Sequence, residues 1–136
     1  MSIAIFPGSF DNFHDGHMFI LKKALFFYDK VIILVSNNDN KKHKTDLLTR
    51  KENIINVIKK NNIQNVVIDY NTGYTIDYCC KHKIFNLVRG IRDKDDFFYE
   101  LNLCSEYKKN NANINILYIY SSLDFINIRS SLITNN

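Results

Sequence analysis

The stretch IAIFPGSFDNFHDGHMFILKKALFFYDKVIILV, residues 3–35, contains two short apolar runs separated by a longer amphipathic segment. The first run starts at Ile3 and stops at a Pro-Gly pair, as a strand does when it ends in a turn. The second, residues 31–35, is continuous and mostly β-branched, which is typical of a strand buried on both faces. Between them, from Asp15 to Tyr28, apolar residues recur at helical spacing. The stretch therefore predicts a strand, a helix and a second strand.

The rest of the chain continues this alternation. Further apolar runs at residues 66–68, 85–88 and 114–120 predict three more strands, with helical segments between them. Five strands alternating with helices predict the α/β class: a Rossmann-like, open, parallel sheet with helices on both faces. Right-handed crossovers favour the strand order 3-2-1-4-5, in which the first and fourth strands are neighbours and the chain reverses direction between them. No repeat or linker divides the chain, so residues 1–136 are expected to form a single domain.

Capping residues predict where two of the helices begin. The segment Thr49 to Glu52 matches a capping box, and Asp93 is a suitable N-cap for a long helix that runs through Tyr107. A shorter helix is expected after Gly73, with Cys80 among its inward-facing residues.

Composition and charge exclude several classes of protein. Hydrophobic residues make up 46% of the chain and charged residues 24%, as in ordinary globular domains. No apolar run approaches the roughly 18 residues of a membrane span, and no signal peptide is recognisable, so we expect a cytoplasmic protein without a membrane partner. The net charge of +4 is mild and acids and bases are interspersed, which argues against nucleic acid as a partner. The three cysteines lack metal-ligand spacing, so no metal site is expected.

The strongest chemical signal is His14-Asp15-Gly16-His17, which follows the first strand. It opens a helix, and a helix N-terminus offers free N–H groups and a partial positive charge to phosphate. Gly16 would let a phosphate approach the backbone closely. Both imidazoles can donate hydrogen bonds and stabilise negative charge that grows in a transition state. The alternative is that one histidine caps the helix while the other is solvated.

A second, basic motif stands at the end of the fourth strand. Arg89 and Arg92 offer guanidinium groups whose geometry matches phosphate. The predicted strand order brings them to the same switch point as the histidines, where such sheets bind ligands. The alternative is a pair of surface ion pairs with Asp93, Asp95 or Asp96. Because both motifs converge on one site, we favour binding of a phosphate-bearing ligand over surface ion pairs.

The two motifs resemble those of the HxGH nucleotidyltransferase superfamily, whose members act on phosphopantetheine, nicotinamide mononucleotide or glycerol 3-phosphate. Residues 88–100, with Arg-Gly-Ile-Arg followed by Asp-Phe and Tyr-Glu, look very like the signature of the bacterial phosphopantetheine adenylyltransferases. The resemblance runs from Ile3 to Leu132. It implies transfer of AMP from ATP to 4′-phosphopantetheine, giving dephospho-coenzyme A and pyrophosphate, with Mg²⁺ carried by ATP.

The resemblance also implies roles for individual residues. Those expected to act in catalysis are His17, Lys41, Arg89 and Ser130. Those expected to bind ATP are Gly8, Ser9, Phe10, His14, Gly16, His17, Arg89, Gly90, Arg92, Asp96, Glu100, Arg129, Ser130 and Ser131. Those expected to bind the acceptor are Ser9, Lys41, Tyr74, Thr75, Arg89 and Tyr107.

Several positions depart from the family pattern. Ungapped counting from His17 places Lys41 on the family's essential lysine, with Lys42 as the alternative. Arg129 replaces the first serine of the family's Ile-Ser-Ser-Ser/Thr motif. Tyr107 replaces an asparagine that contacts pantetheine in the family. The C-terminal helix that usually follows in the family is not found in residues 1–136, so we expect either a thinner core there or an oligomer that compensates. The resemblance implies a homo-oligomer, a hexamer, with dephospho-coenzyme A or coenzyme A as product or feedback ligand.

Two alternatives stay open beside this function. Within the class, the chain could be a nucleotidyltransferase of the glycerol-3-phosphate or nicotinamide-mononucleotide type. Outside it, the chain could be a non-catalytic nucleotide-binding module. The intact pair His14 and His17, together with both arginines, argues against the module. The lack of an Arg-Thr-x-Gly-Ile-Ser motif argues against the glycerol-3-phosphate type.

Overall fold

The computed structural model describes residues 1–37, 45–111 and 113–121. Strands and helices alternate along this part of the chain, as predicted. The elements are β1 (Ile3–Gly8), α1 (Asp15–Phe27), β2 (Lys30–Ser36), α2 (Leu47–Lys60), β3 (Val66–Asn71), α3 (Thr75–His82), β4 (Asn86–Ile91), α4 (Lys94–Asn110) and β5 (Asn115–Tyr120). None of the helices in the described ranges has both the length and the apolar character that crossing a membrane requires.

The strands form one parallel sheet in the order β3-β2-β1-β4-β5, which confirms the predicted topology. β1 pairs with β2 along its length, from Ile3 opposite Lys30 to Gly8 opposite Val35. On its other side β1 meets β4, with Ile5 opposite Leu87. The direction of winding reverses between β1 and β4, so the carboxyl ends of these two strands flank the switch point.

Apolar side chains cover both faces of the sheet because successive residues of a strand point to opposite sides. On one face, buried residues of α1 and α2 pack against strand residues in a cluster that includes Ala4, Phe6, Val31, Ile33, Val35, Ile20, Leu21, Ile54 and Ile58. On the other face, α3 contributes to a second cluster that includes Ile5, Ile32, Leu34, Leu87, Tyr78 and Cys79. The predicted placement of helices on both faces is confirmed.

Two local predictions about the helices are wrong. α2 begins two residues before Thr49, because the side chain of Asp46 accepts a hydrogen bond from the Thr49 N–H over 2.8 Å and caps the helix earlier. In α3 the buried residues are Tyr78 and Cys79, whereas Cys80 is exposed. By contrast, Asp93 caps α4 as predicted and accepts a hydrogen bond from the Asp96 N–H.

The fourth strand is longer than the sequence indicates. It extends to Ile91, so Arg89 and Gly90 lie within β4 and pair with Tyr118 and Ile119 of β5. The arginine-containing motif is therefore held by the sheet on the β5 side. This anchoring gives the site more rigid support than a loop would provide.

Candidate active site

The carboxyl ends of β1 and β4 bring together the two motifs singled out in the sequence. Arg89 donates a hydrogen bond from Nη1 to the carbonyl oxygen of Pro7 in β1 over 3.3 Å. Arg92, just beyond β4, lies close enough to His17 for its positive charge to lower the pKa of that imidazole. Both motifs therefore belong to one site at the switch point.

His14 and His17 form a reciprocal cap at the start of α1. Nδ1 of His14 accepts a hydrogen bond from the Gly16 N–H at 3.1 Å, and Nδ1 of His17 accepts one from the His14 N–H at 3.2 Å. The two rings stack with their centroids 3.9 Å apart. A Cβ at position 16 would lie 2.9 Å from the His14 ring, so the glycine makes room for this ring. Both imidazoles therefore cap the helix, whereas the alternative interpretation has one histidine as the cap and the other in solvent.

These capping bonds determine which nitrogen of each neutral ring carries the proton. Because Nδ1 accepts a hydrogen bond in both rings, the proton of the neutral form resides on Nε2. Each ring can then donate from Nε2 to a ligand while the helix backbone holds its other nitrogen. An imidazole arranged in this way can donate to a phosphate oxygen without carrying a charge.

His17 is surrounded by aromatic rings. The ring centroids of Phe6, Phe10 and Phe13 lie 6.5, 5.1 and 5.4 Å from that of His17. Burial, followed by nearby positive charges, lowers the pKa of His17 from 6.5 to about 4. At neutral pH the stabilisation that His17 can offer to a ligand is therefore that of a neutral hydrogen-bond donor.

The lowered pKa of His17 predicts a pH-dependent stability. The unfolded chain binds a proton at this histidine below pH 6.5, whereas the folded chain does so only near pH 4, so acid favours the unfolded state. We expect the free energy of unfolding to fall by about 2 kcal/mol between about pH 7 and pH 4.5 from this group. Denaturant titrations of wild type and His17→Gln at both pH values isolate the contribution. Equal pH dependence in the two proteins would contradict a depressed pKa.

Arg89 and Glu100 form a buried ion pair that links β4 to α4. Nε of Arg89 donates to both carboxylate oxygens at 3.1 Å, and Nη2 donates to Oε1 at 2.7 Å. The side chains are 19% and 6% exposed. Burial by itself lowers the pKa of Arg89, but the hydrogen bonds and charge of Glu100 outweigh it and the pKa is raised. The structure therefore places Glu100, an expected nucleotide contact, as the partner that holds Arg89 in position.

Arg92 makes the ion pair that the sequence offered as the alternative. Its backbone N–H and its Nε both donate to Oδ2 of Asp96, at 2.9 and 3.0 Å. Burial by itself would raise the pKa of Asp96, but the bonds from Arg92 outweigh it and the pKa is lowered. The Arg92 side chain nevertheless stays 67% exposed, so the guanidinium remains accessible at the site.

The turn after β1 is built around a buried phenylalanine. Phe10 has a φ of 47°, in the left-handed region that bulky residues rarely adopt, and its side chain is 4% exposed. A Cβ at Gly8 would lie 2.9 Å from the Phe10 ring, which explains the glycine. Because the ring is buried, an interaction of Phe10 with a ligand would involve its backbone.

Gly90 allows α1 to approach β4 closely. A Cβ at this position would lie 2.1 Å from Cδ1 of Ile20, a buried residue of α1. This close contact brings the N-terminal half of α1 against the strand that carries Arg89. The contact of Gly90 with ATP that the resemblance implies stays a prediction.

The residues predicted to bind the acceptor include two that touch each other. The side chain of Thr75, at the start of α3, interacts with the hydroxyl of Tyr107, in α4. Burial raises the pKa of Tyr107, and its hydroxyl also lies within electrostatic range of Arg89 and Glu100. Tyr74, the N-cap of α3, is 73% exposed. The structure thus brings the start of α3 and the C-terminal part of α4 together near Arg89.

A buried arginine was missed by the sequence analysis. Arg50 in α2 is 1% exposed and donates to carbonyl groups of several loops, including Ser9 at 2.6 Å. The available signal was its spacing, because Arg50, Ile54 and Ile58 recur every four residues and are the buried residues of α2.

Several predicted residues fall outside the ranges that the structure describes. They are Lys41, its alternative Lys42, Arg129, Ser130 and Ser131. Within residues 1–37, 45–111 and 113–121, no three His, Cys, Asp or Glu side chains come together as a metal site would need.

The profile of the cytidylyltransferase-like family matches residues 5–136, so the chain, with its parallel sheet and its candidate site at the switch point, is a cytidylyltransferase-like protein. The phosphopantetheine adenylyltransferase of Mycoplasma capricolum is 39% identical over 133 residues, covering 98% of this chain and 94% of the relative. That of Borreliella burgdorferi is 35% identical over 133 residues, covering 98% and 82%. The chain therefore belongs to the phosphopantetheine adenylyltransferase family.

Solved structures share the fold at lower sequence identity. A lipopolysaccharide core biosynthesis protein from Thermoplasma volcanium aligns with a TM-score of 0.61 and 22% identity, over 90% of this chain and 97% of that one. A bifunctional NMN adenylyltransferase/ADP ribose pyrophosphatase from Francisella tularensis aligns with a TM-score of 0.61 and 23% identity, over 87% and 37%. These likenesses concern the fold alone.

Proposed function

We propose that the chain transfers AMP from ATP to 4′-phosphopantetheine, giving dephospho-coenzyme A and pyrophosphate. The observation that carries the proposal is the His14–His17 pair, whose Nδ1 atoms are occupied by the helix backbone and whose Nε2–H groups are left to donate. The pair lies beside Arg92 at the switch point of the sheet. The family to which the chain belongs supplies the identity of the acceptor.

The chemistry asks the protein for positioning and charge stabilisation. A phosphate oxygen of the acceptor attacks the α-phosphorus of ATP, and the bond from that phosphorus to the β-phosphate oxygen breaks. The electron pair leaves with pyrophosphate, and the acceptor phosphate, already an anion, needs no protein base. Negative charge grows at the α-phosphate as the bonds change, and fixed donors there lower the barrier.

Each residue at the site has a part in this proposal. His17 donates from Nε2 to the α-phosphate, and Arg92 attracts the triphosphate. Ser9 and the backbone N–H of Phe10 hold the incoming phosphate, and Arg89 orients it. Outside the described ranges, Lys41 is proposed to bridge the two reacting phosphates. Arg129, Ser130 and Ser131 are proposed to contact the nucleotide.

A pyrophosphate-release assay tests the proposal. ATP is supplied with 4′-phosphopantetheine, nicotinamide mononucleotide or glycerol 3-phosphate in turn, each with Mg²⁺. We expect release with 4′-phosphopantetheine and formation of dephospho-coenzyme A in equal amount. Release with another acceptor instead would favour a different nucleotidyltransferase. ATP binding without release in any mixture would favour the non-catalytic module.

The departure at Tyr107 gives a prediction about acceptor affinity. Replacing Tyr107 with asparagine removes the hydroxyl that interacts with Thr75 and introduces the amide that the family has at this position. We expect several-fold tighter binding of 4′-phosphopantetheine, on the order of 1 kcal/mol, with ATP binding unchanged. Isothermal titration calorimetry measures both. Tyr107→Phe, which removes only the hydroxyl, is the matched control, and weaker or unchanged acceptor binding by Tyr107→Asn would contradict the prediction.

The proposal extends to the setting in which the chain works. We propose that Mg²⁺ arrives on the triphosphate of ATP and that the protein acts in the cytoplasm. Dephospho-coenzyme A or coenzyme A is proposed to bind as product or feedback ligand.

We also propose that the chain forms a homo-oligomer, a hexamer by resemblance. Exposed apolar side chains on α4 support this proposal: Phe97, Phe98 and Leu101 are 40%, 53% and 50% exposed. Light scattering of the purified chain measures its mass.

A further inference from the structure

Arg50 is the largest side chain that the described part of the chain buries completely. It lies in the first turns of α2 and is 1% exposed. A charged side chain is costly to bury unless its donors are satisfied, so a buried guanidinium requires an arrangement of acceptors around it. Its acceptors therefore indicate what this residue holds in place.

The guanidinium of Arg50 joins three separate segments of the chain. Nη1 donates to the carbonyls of Ser9, after β1, and Ser36, at the end of β2, at 2.6 and 3.2 Å. Nε donates to the carbonyl of Thr45 at 2.8 Å. Nη2 donates to the side-chain oxygen of Asn37.

Most of these partners are neutral carbonyl groups and not carboxylates. The nearest carboxylate, that of Asp11, lies 3.9 Å from Nε of Arg50 and itself accepts a hydrogen bond from the Thr45 N–H. A planar fork of donors is needed to reach several carbonyls at once, and lysine, with a single ammonium, cannot do so in the same geometry. The arrangement sets the distance between the turn after β1 and the end of β2.

We propose that Arg50 is a positioning residue that fixes Ser9 for the acceptor phosphate. This inference rests on the proposed function, in which Ser9 holds the incoming phosphate. Each hydrogen bond that the structure describes for Arg50 goes to the β1, β2 or α2 side of the site. The nucleotide side, with Gly90 and Arg92, is held by β4 and α4. Ser9 is expected to contact ATP as well, but the proposed function assigns it to the incoming phosphate and gives ATP further contacts on β4, so we expect the loss of Arg50 to affect the acceptor more than ATP.

Arg50→Lys tests this role, because it keeps the charge and removes the fork. We expect about tenfold weaker binding of 4′-phosphopantetheine by calorimetry, with the dissociation constant for ATP changed by less than about twofold. Asn37→Ala, which removes one acceptor and keeps the arginine, is expected to shift acceptor binding in the same direction by a smaller factor. Equal weakening of both ligands, or of neither, would overturn the proposal.

A matched control separates positioning from loss of stability. Ile58→Ala creates a cavity on the same buried stripe of α2, away from the loops, and is expected to lower the melting temperature without changing either dissociation constant. If Ile58→Ala weakens acceptor binding as much as Arg50→Lys, the effect belongs to general destabilisation and the positioning role is wrong.

Hydrogen exchange on the unliganded chain tests the same idea without any substrate. Amides at residues 9–12 and 36–37 are expected to exchange faster in Arg50→Lys than in wild type, and to be unchanged in Ile58→Ala. If wild type releases no pyrophosphate but this pattern is found, the proposed function fails while the role of Arg50 in holding the loops stands. If exchange is unchanged in Arg50→Lys, the positioning role fails whatever the assay shows.

Discussion

Replacing His17 with alanine is expected to lower kcat by about two orders of magnitude or more, with little change in KM for either substrate. In the proposed reaction, the neutral Nε2–H of His17 donates a hydrogen bond that strengthens as charge accumulates on the α-phosphate, so its loss is expected to affect the transition state more than the ground state. Removing a comparable donor to a developing negative charge costs on the order of 3 kcal/mol. Steady-state kinetics with both substrates varied measure the effect.

Two further measurements sharpen this test. Because the pKa of His17 is lowered to about 4, the activity that depends on it should not titrate near pH 6.5. Asp15→Asn, at the neighbouring first position of α1, is the matched control and is expected to keep kcat close to wild type. A near-normal kcat for His17→Ala would contradict a catalytic role for His17.

Breaking the Arg89–Glu100 pair is expected to cost stability as well as activity. Glu100→Ala leaves a mostly buried guanidinium without its carboxylate, since the two side chains are only 19% and 6% exposed. Removing one partner of a buried pair typically costs about 3–5 kcal/mol. Denaturant titration of Glu100→Ala measures this loss.

A double replacement separates the structural and chemical roles of the pair. Arg89→Met with Glu100→Leu removes both charges and is expected to recover most of the stability, while pyrophosphate release stays lost. The control is Glu106→Ala, which breaks an exposed ion pair: the side chains of Glu106 and Lys109 are 67% and 72% exposed. We expect its free energy of unfolding to stay within about 0.5 kcal/mol of the wild-type value. An active double variant would show that Arg89 does not orient the substrate phosphate.

The fold could be predicted because its signals are local and repeat along the chain. The apolar run at residues 31–35 is buried as predicted, and short connections between alternating strands and helices leave few strand orders. The errors lie at boundaries, where neighbouring candidates compete. Thr49 and Asp46 both suit a helix start, and the acceptor that reaches the Thr49 N–H decides between them.

The site was predictable in its motifs but not in their charge states. His14 and His17 are recognisable from spacing, because their residue types and their place after a strand suit phosphate. The neutral state of His17 depends on Phe6 and Phe10, which reach it only in the folded chain. The partnership of Arg89 with Glu100 likewise depends on how α4 packs, and the sequence offered Asp93, Asp95 and Asp96 as equally good partners for the arginines.

The contact between Ile20 and Gly90 limits the order in which these two positions can change during evolution. A Cβ added at position 90 would lie 2.1 Å from Cδ1 of Ile20, the end of a flexible side chain, so alanine there requires the Ile20 side chain to shift. Valine at position 20 lacks that methyl group and relieves the closest clash. A lineage therefore accepts a larger residue at position 90 more easily once position 20 has become smaller, because the reverse order passes through an intermediate in which the buried Ile20 side chain has been pushed aside.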